Sequence, residues 1–157
     1  MKMPLTVFLL IVSLCPNLFA SPVATAPPDT NVTWEYWDAA KTRPKNVQVI
    51  DSQGRQHGEQ IYWYENGMMS TKVSFKHGEL LLCEGWFDNG EKRYQQPFAD
   101  ATGHGLWIWW DRNGNVLARS DFNHGTGVEY YFDDTGKEKK RVVWVGGTRV
   151  SPVTPVH

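Results

Sequence analysis

The sequence has little cysteine, no long hydrophobic run and no helical periodicity, and each shortage excludes something. Cysteine occurs twice, as Cys15 and Cys83. Cys15 belongs to an N-terminal apolar stretch that reads as a processing segment. The mature chain is therefore expected to keep Cys83 alone and to hold no internal disulfide. A leftover cysteine is either a small buried hydrophobe or an intermolecular partner, and burial is the reading taken here. The apolar stretch, residues 5–14 (LTVFLLIVSL), is ten residues long, short of the roughly 20 that span a bilayer as a helix. Charge is nearly balanced, with 16 Lys and Arg against 17 Asp and Glu, so the basic stripe of a nucleic-acid binder is missing. No apolar run of 3.6-residue period survives the glycines, which argues against helices. There is no G-x-S-x-G elbow. No cysteine or carboxylate recurs at a fixed offset from the histidines to complete a zinc site. Neither catalysis nor a cofactor is implied.

What the chain has instead is aromatics and turn residues: eight Trp, six Tyr, seven Phe and 14 Gly in 157 residues. Aromatics fit pleated surfaces and glycines fit tight turns, so the composition favours β structure. The segment from His104 to Gly125 (HGLWIWWDRNGNVLARSDFNHG) shows the organising unit. Asn113-Gly114 between apolar runs reads as a two-residue type I′ hairpin turn, which needs positive φ at both residues. With Gly67, Gly90, Gly114 and Gly136 as origins, Trp63, Trp86, Trp110 and Phe132 stand four residues before. Phe75, Phe98, Phe122 and Trp144 stand eight after. The origins are 23, 24 and 22 residues apart, a period that means stacked supersecondary units. The expected fold is all-β, an antiparallel meander of β-hairpin repeats with a period of about 23 residues.

Residues 1–20 read as a signal peptide. Lys2 is a small positive n-region, Pro16 and Asn17 break the apolar run, and Ala20 precedes the expected new N-terminus, Ser21. The protein is then exported, periplasmic or extracellular, with a mature charge of −2 (15 basic against 17 acidic residues once Lys2 is lost). A lipidated Cys15 is disfavoured because Leu14 stands where such a signal wants a small residue. Residues 21–46 form a Pro-rich leader and N-terminal segment, in which 32–37 (VTWEYW) is either a first strand or a capping segment. Residues 47–147 form the repeat domain and 148–157 a C-terminal tail. Asp51-Ser52-Gln53-Gly54 is a degenerate copy of the turn, read as a capping half-unit.

Counting in twos through each turn places Ile61, Trp63, Met69, Thr71, Val73 and Phe75 on one face, towards a core. Ile108, Trp110, Val116, Ala118, Ser120 and Phe122 follow the same rule. The second unit is irregular. Pro97 cannot donate to a ladder, so its arm reads as an edge or bulged strand, and an insertion at 100–103 follows it.

His57 and His104 share one frame position, and His77 and His124 another. Each precedes a turn glycine, so they read as turn formers rather than metal ligands. Asp88, Asp111, Asp133 and Asp134 flank turns and are expected to bond the turn backbone rather than to catalyse. Lys137, Lys139, Lys140 and Arg141 read as a solvated edge strand, or as a contact to glycan or anionic lipid. Tyr62, Tyr64, Phe87, Trp109 and Tyr131 stand three or five residues before the origins, alternating with the frame aromatics. Stacked, they would form a stripe across the hairpins, either an exposed binding surface or a second packed face.

The frame resembles the variant MORN repeat, most closely the bacterial YwqK-like antitoxins. The matching residues are His57-Gly58, Trp63, Asn66-Gly67, Phe75 and His77-Gly78, then His104-Gly105, Trp110, Asn113-Gly114, Phe122 and His124-Gly125. The likeness covers about 90 of the 157 residues. The unit at Gly90 lacks the closing His-Gly, and that at Gly136 has Thr135 for Asn and closes with Gly146-Gly147. The resemblance implies a meander of hairpins without catalytic residues, serving as an interaction module and in some members neutralising a toxin. The expectation is thus a protein-binding module, immunity-like, with the striped aromatics as its contact. The alternative is an envelope module that holds glycan or lipid.

Overall fold

A computed structural model describes residues 26–150 and 154–155. The signal-peptide reading and its cleavage site at Ala20 lie outside them. The described residues contain no helix. They form one antiparallel sheet of β1 (Thr30–Tyr36), β2 (Pro44–Asp51), β3 (Gly58–Trp63), β4 (Met69–Lys76), β5 (Glu79–Trp86), β6 (Lys92–Ala99), β7 (Thr102–Gly103), β8 (Gly105–Trp110), β9 (Val116–Phe122), β10 (Gly127–Phe132), β11 (Glu138–Val145), β12 (Thr148–Arg149) and β13 (Thr154–Pro155). Neighbours in sequence are neighbours in space from β1 to β12, except that β6 pairs directly with β8. The short β7 sits beside β6, and β13 beside β11. The expected all-β hairpin meander is what the chain forms.

The turns differ from expectation. Around Gly67 the Gly67 N–H donates to the Tyr64 carbonyl and the Tyr64 N–H to the Met68 carbonyl. The same pair of bonds recurs at Gly54, Gly90, Gly114 and Gly136. These glycines have positive φ, but Asn66, Asn89 and Asn113 do not. The loop is therefore a three-residue one, a type I turn closed by a left-handed glycine, and not a two-residue type I′ turn. Asn66 and Asn89 act through their side chains, Oδ1 accepting from the Met68 and Glu91 N–H groups. Asp111 and Asp133 do the same work, each Oδ1 accepting two turn N–H groups, as expected for aspartates at turns.

A second difference follows each turn. Trp63 pairs with Met69, but Tyr62 pairs with Thr71, leaving Ser70 as a bulge. The same slip leaves Arg93, Leu117 and Lys139 unpaired in the other hairpins. One extra residue exchanges the two faces of the return strand. Thr71 and Val73 therefore share a face with Tyr62 and Gln60, and Ile61 lies beside Lys72. Likewise Ala118 and Ser120 lie with Trp109 and Trp107, and Arg119 lies with Ile108. The single apolar face counted through the turns is overturned.

Packing uses both faces. On the Trp63 face, at the N-terminal end, Val47, Ile61 and Trp63 are buried, with Trp34 and Met69 packed on them. On the opposite face, at the C-terminal end, Ala118, Ser120, Phe122, Glu129 and Val142 are buried. Between β2 and β3 the ladder is short, and the Gln60 side chain completes it by bonding both the N–H and the carbonyl of Val49.

Residues 32–37 resolve as a strand for the most part: β1 pairs with β2 from Thr30 to Tyr36, so the sheet begins before residue 47. Of the two alternatives for β6 it is the bulged strand and not an edge: it lies between β5 and β8, and Arg93 is its bulge. Its ladder with β8 covers only Tyr94 and Gln95, and the Pro97 carbonyl accepts instead from the His104 N–H and the Trp107 indole. The lysine-rich β11 is no edge either, because β12 and β13 pair along it.

Candidate functional site

Pairing register builds one continuous line of residues across the sheet: Asn46, Tyr62, Thr71, Gly85, Tyr94, Trp109, Ala118, Tyr131 and Lys140. Cross-strand partners point to the same side, so this row is one surface. Three of the five stripe residues, Tyr62, Trp109 and Tyr131, stand on it, all half-buried. Tyr94, which the frame did not single out, fills the gap in the row at β6.

Tyr64 and Phe87 are not on it. Both lie in turns. The Tyr64 hydroxyl donates to the Trp86 carbonyl of the next hairpin. The Arg93 and Arg112 guanidinium groups lie over the Phe87 ring, 5.7 and 4.9 Å from its centroid. The five residues therefore do not form a single stripe. Positions three and five before a turn glycine share a strand face only if the strand runs that far, and β3 ends at Trp63 and β5 at Trp86.

The row leads into a pocket of about 210 Å³ at its C-terminal end. Trp107, Trp109, Phe122 and Trp144 form its walls. Trp107 meets Trp109 edge-on at 5.7 Å and Phe122 at 5.0 Å. Gly103, Gly125 and Gly147 complete the lining. Their backbones stack as a column: the Gly147 N–H donates to the Gly125 carbonyl, and the Gly125 N–H to the Gly103 carbonyl. A Cβ at Gly125 would come within 2.6 Å of the Gly147 nitrogen, so only glycine lets these loops approach so closely.

The last lining residue is Glu129, an acid only 7% exposed. The Trp144 indole donates to its carboxylate at 3.1 Å. Burial, and then the neighbouring Glu129 carboxylate, push the Tyr131 phenol up to about 12. Ser120 stands in register between Trp107 and Glu129, and its hydroxyl is buried without a hydrogen-bond partner. Sequence reading missed Trp107, Glu129 and the glycine column. The signal available was the 22-residue spacing of Gly103, Gly125 and Gly147.

The histidines make a different structure. His77 and His124 adopt positive φ, the turn-former role expected of them. His57 and His104 instead accept, through Nδ1, the N–H groups of His77 and His124; the first pair of rings stacks at 4.2 Å and the second sits tilted at 4.7 Å. Asp51 joins the first pair through His77. Among the described residues no group of three or more His, Cys, Asp or Glu could hold a metal ion. Cys83 is half-buried on the Trp109 face, and burial pushes its thiol up. Arg141 pairs with Glu138, and the Lys140 ammonium sits 4.1 Å over the Tyr131 ring.

Compared with known families, the chain matches the MORN repeat variant at residues 56–77 and 103–124. These two stretches contain the β3–β4 and β8–β9 hairpins. MORN repeats are commonly protein- or membrane-binding modules. No curated protein and no solved structure matches the chain.

Proposed function

We propose that the protein is an exported, non-enzymatic binding module that captures a protein partner on the Trp109 face, as an immunity-type neutraliser of a toxin. The observation that carries the reading is the pocket: three indoles and Phe122 open at the end of an aromatic row. Trp and Tyr in such settings are the residues most often found as binding hot spots, worth about 2 kcal/mol or more on truncation. Export rests on the ten-residue apolar run that ends before Ala20. The immunity role rests on the likeness of the two best hairpins to the antitoxin group.

The test uses two adjacent residues on opposite faces. Capture of a partner from the envelope fraction should be lost in Trp109→Ala and kept in Trp110→Ala, with both variants folded by near-UV circular dichroism. Equal capture by the two would overturn the assignment of the face. The captured protein, expressed alone, should arrest growth and be relieved by co-expression. N-terminal sequencing should find Ser21 first, and an intact Met1 would overturn export.

A further inference from the structure

The pocket offers a binding chemistry more specific than apolar contact. We propose that it receives an arginine side chain of the protein partner, the guanidinium lying against the indole walls and hydrogen-bonding Glu129. The proposal rests on the reading of the Trp109 face as a protein-binding surface.

Size comes first. At about 210 Å³ the pocket is smaller than the roughly 300–1,000 Å³ typical of drug-sized ligand sites. It suits a single side chain. Charge comes next. An aromatic face attracts cations through its quadrupole, and Glu129 places a carboxylate among those faces. Burying that group is costly unless it is well partnered. The hydrogen bond it receives, from the Trp144 indole, comes from a neutral donor. An ionised carboxylate has about four acceptor positions, so capacity remains for a further donor. Lys140, over the Tyr131 ring, and the exposed Arg149, whose charge acts on the Tyr131 phenol, are not among the lining residues.

Donor geometry chooses among cations. A guanidinium is planar, weakly hydrated, stacks on aromatic rings and presents parallel N–H groups to a carboxylate. A quaternary ammonium would satisfy the rings but offer Glu129 no donor. A lysine ammonium would bond Glu129 but is compact and strongly hydrated, and gains less from flat walls.

The experiment is a titration of the purified, processed protein at fixed ionic strength, read by the indole N–H resonances. The Trp144 resonance reports the site because that group donates to Glu129. Three probes are compared: N-acetyl-arginine amide, its citrulline counterpart and tetramethylammonium. The arginine probe should shift the Trp144 resonance saturably, and citrulline, nearly the same shape without the charge, should bind at least tenfold more weakly. Glu129→Gln should abolish that preference. No saturable shift with arginine, equal affinity for citrulline, or tighter binding of tetramethylammonium would each overturn the proposal, the last in favour of a quaternary headgroup. The three-probe comparison needs no variant, so it stands even where Glu129→Gln fails to fold. It also needs no partner. A negative titration leaves Trp109-dependent capture standing, whereas equal capture by the Trp109→Ala and Trp110→Ala proteins, with arginine binding intact, overturns only the broader function.

Discussion

Replacing Gly85 by alanine isolates the packing of the row. Gly85 is buried on β5, with Thr71 beside it on β4 and Tyr94 on β6. The Tyr94 ring lies across it: a Cβ on Gly85 would stand 2.2 Å from Tyr94 Cε1 and 2.4 Å from Cζ. Carbon atoms in contact prefer about 3.5–4.0 Å, so the ring would have to move by more than an ångström. It is not free to do so, because Tyr94 is half-buried and its hydroxyl engages Thr71 and Cys83. Overpacking of this kind costs about 1–3 kcal/mol. Gly85 is not in the left-handed region. The alanine therefore brings no backbone strain there and gains about 0.4–1 kcal/mol by restricting the unfolded chain. The net expectation is a loss of about 1–2 kcal/mol, read as a lower urea midpoint by tryptophan fluorescence. A double-mutant cycle locates the cause. In a Tyr94→Ala background the same Gly85→Ala change should be neutral or stabilising. A Gly85→Ala protein as stable as wild type, or one whose loss persists without Tyr94, would refute the reasoning.

Four other outcomes are expected. Gly114 has φ +84° and no atom within 4 Å of an added Cβ, so Gly114→Val should destabilise by backbone strain alone and Gly114→Asn much less, since Asn tolerates that region; thermal melting compares them. Phe122, 6% exposed against Trp107, should cost about 3–5 kcal/mol as alanine, and an unchanged urea midpoint would show that the C-terminal core is misplaced. Ser120→Ala removes a buried hydroxyl without a partner, so calorimetry should find it neutral or more stable by about 1 kcal/mol. The turn carboxylates are held below the usual range, Asp111 chiefly by the Asn115 side chain and Asp133 by that of Thr135. A depressed folded-state pKa gives stability that is present above the unfolded value, about 3.9, and lost as pH falls through the folded one. Urea midpoints should therefore drop below about pH 4, and Asp111→Ala should lower the midpoint at pH 7 while flattening that acid dependence.

The hairpins were legible because their signal is local. A glycine every 22 to 24 residues, with an aromatic four before and eight after, sets each turn and the strands around it. The faces were not legible, and the reason is one residue per hairpin. Ser70, Arg93, Leu117 and Lys139 bulge out of the ladder, and nothing in a polar or apolar letter marks a residue that will not pair. Beyond each bulge, counting in twos gives the wrong side. Thus Phe122 was expected to share a face with Trp110 but packs against Trp107. The pocket escaped for a related reason, since it is built where the repeat departs from itself. Gly78 bonds the Gln56 carbonyl in the first stack, 22 residues back. The insertion at 100–103, with Asp100 and Ala101 at positive φ, delays the next stack until Gly103. That glycine leaves room for Trp107, whose Cζ2 would lie 2.8 Å from a Cβ there, and the indole turns to donate to the Pro97 carbonyl. The proline and the insertion, which look in sequence like decay of the second unit, are what hold one wall of the pocket in place.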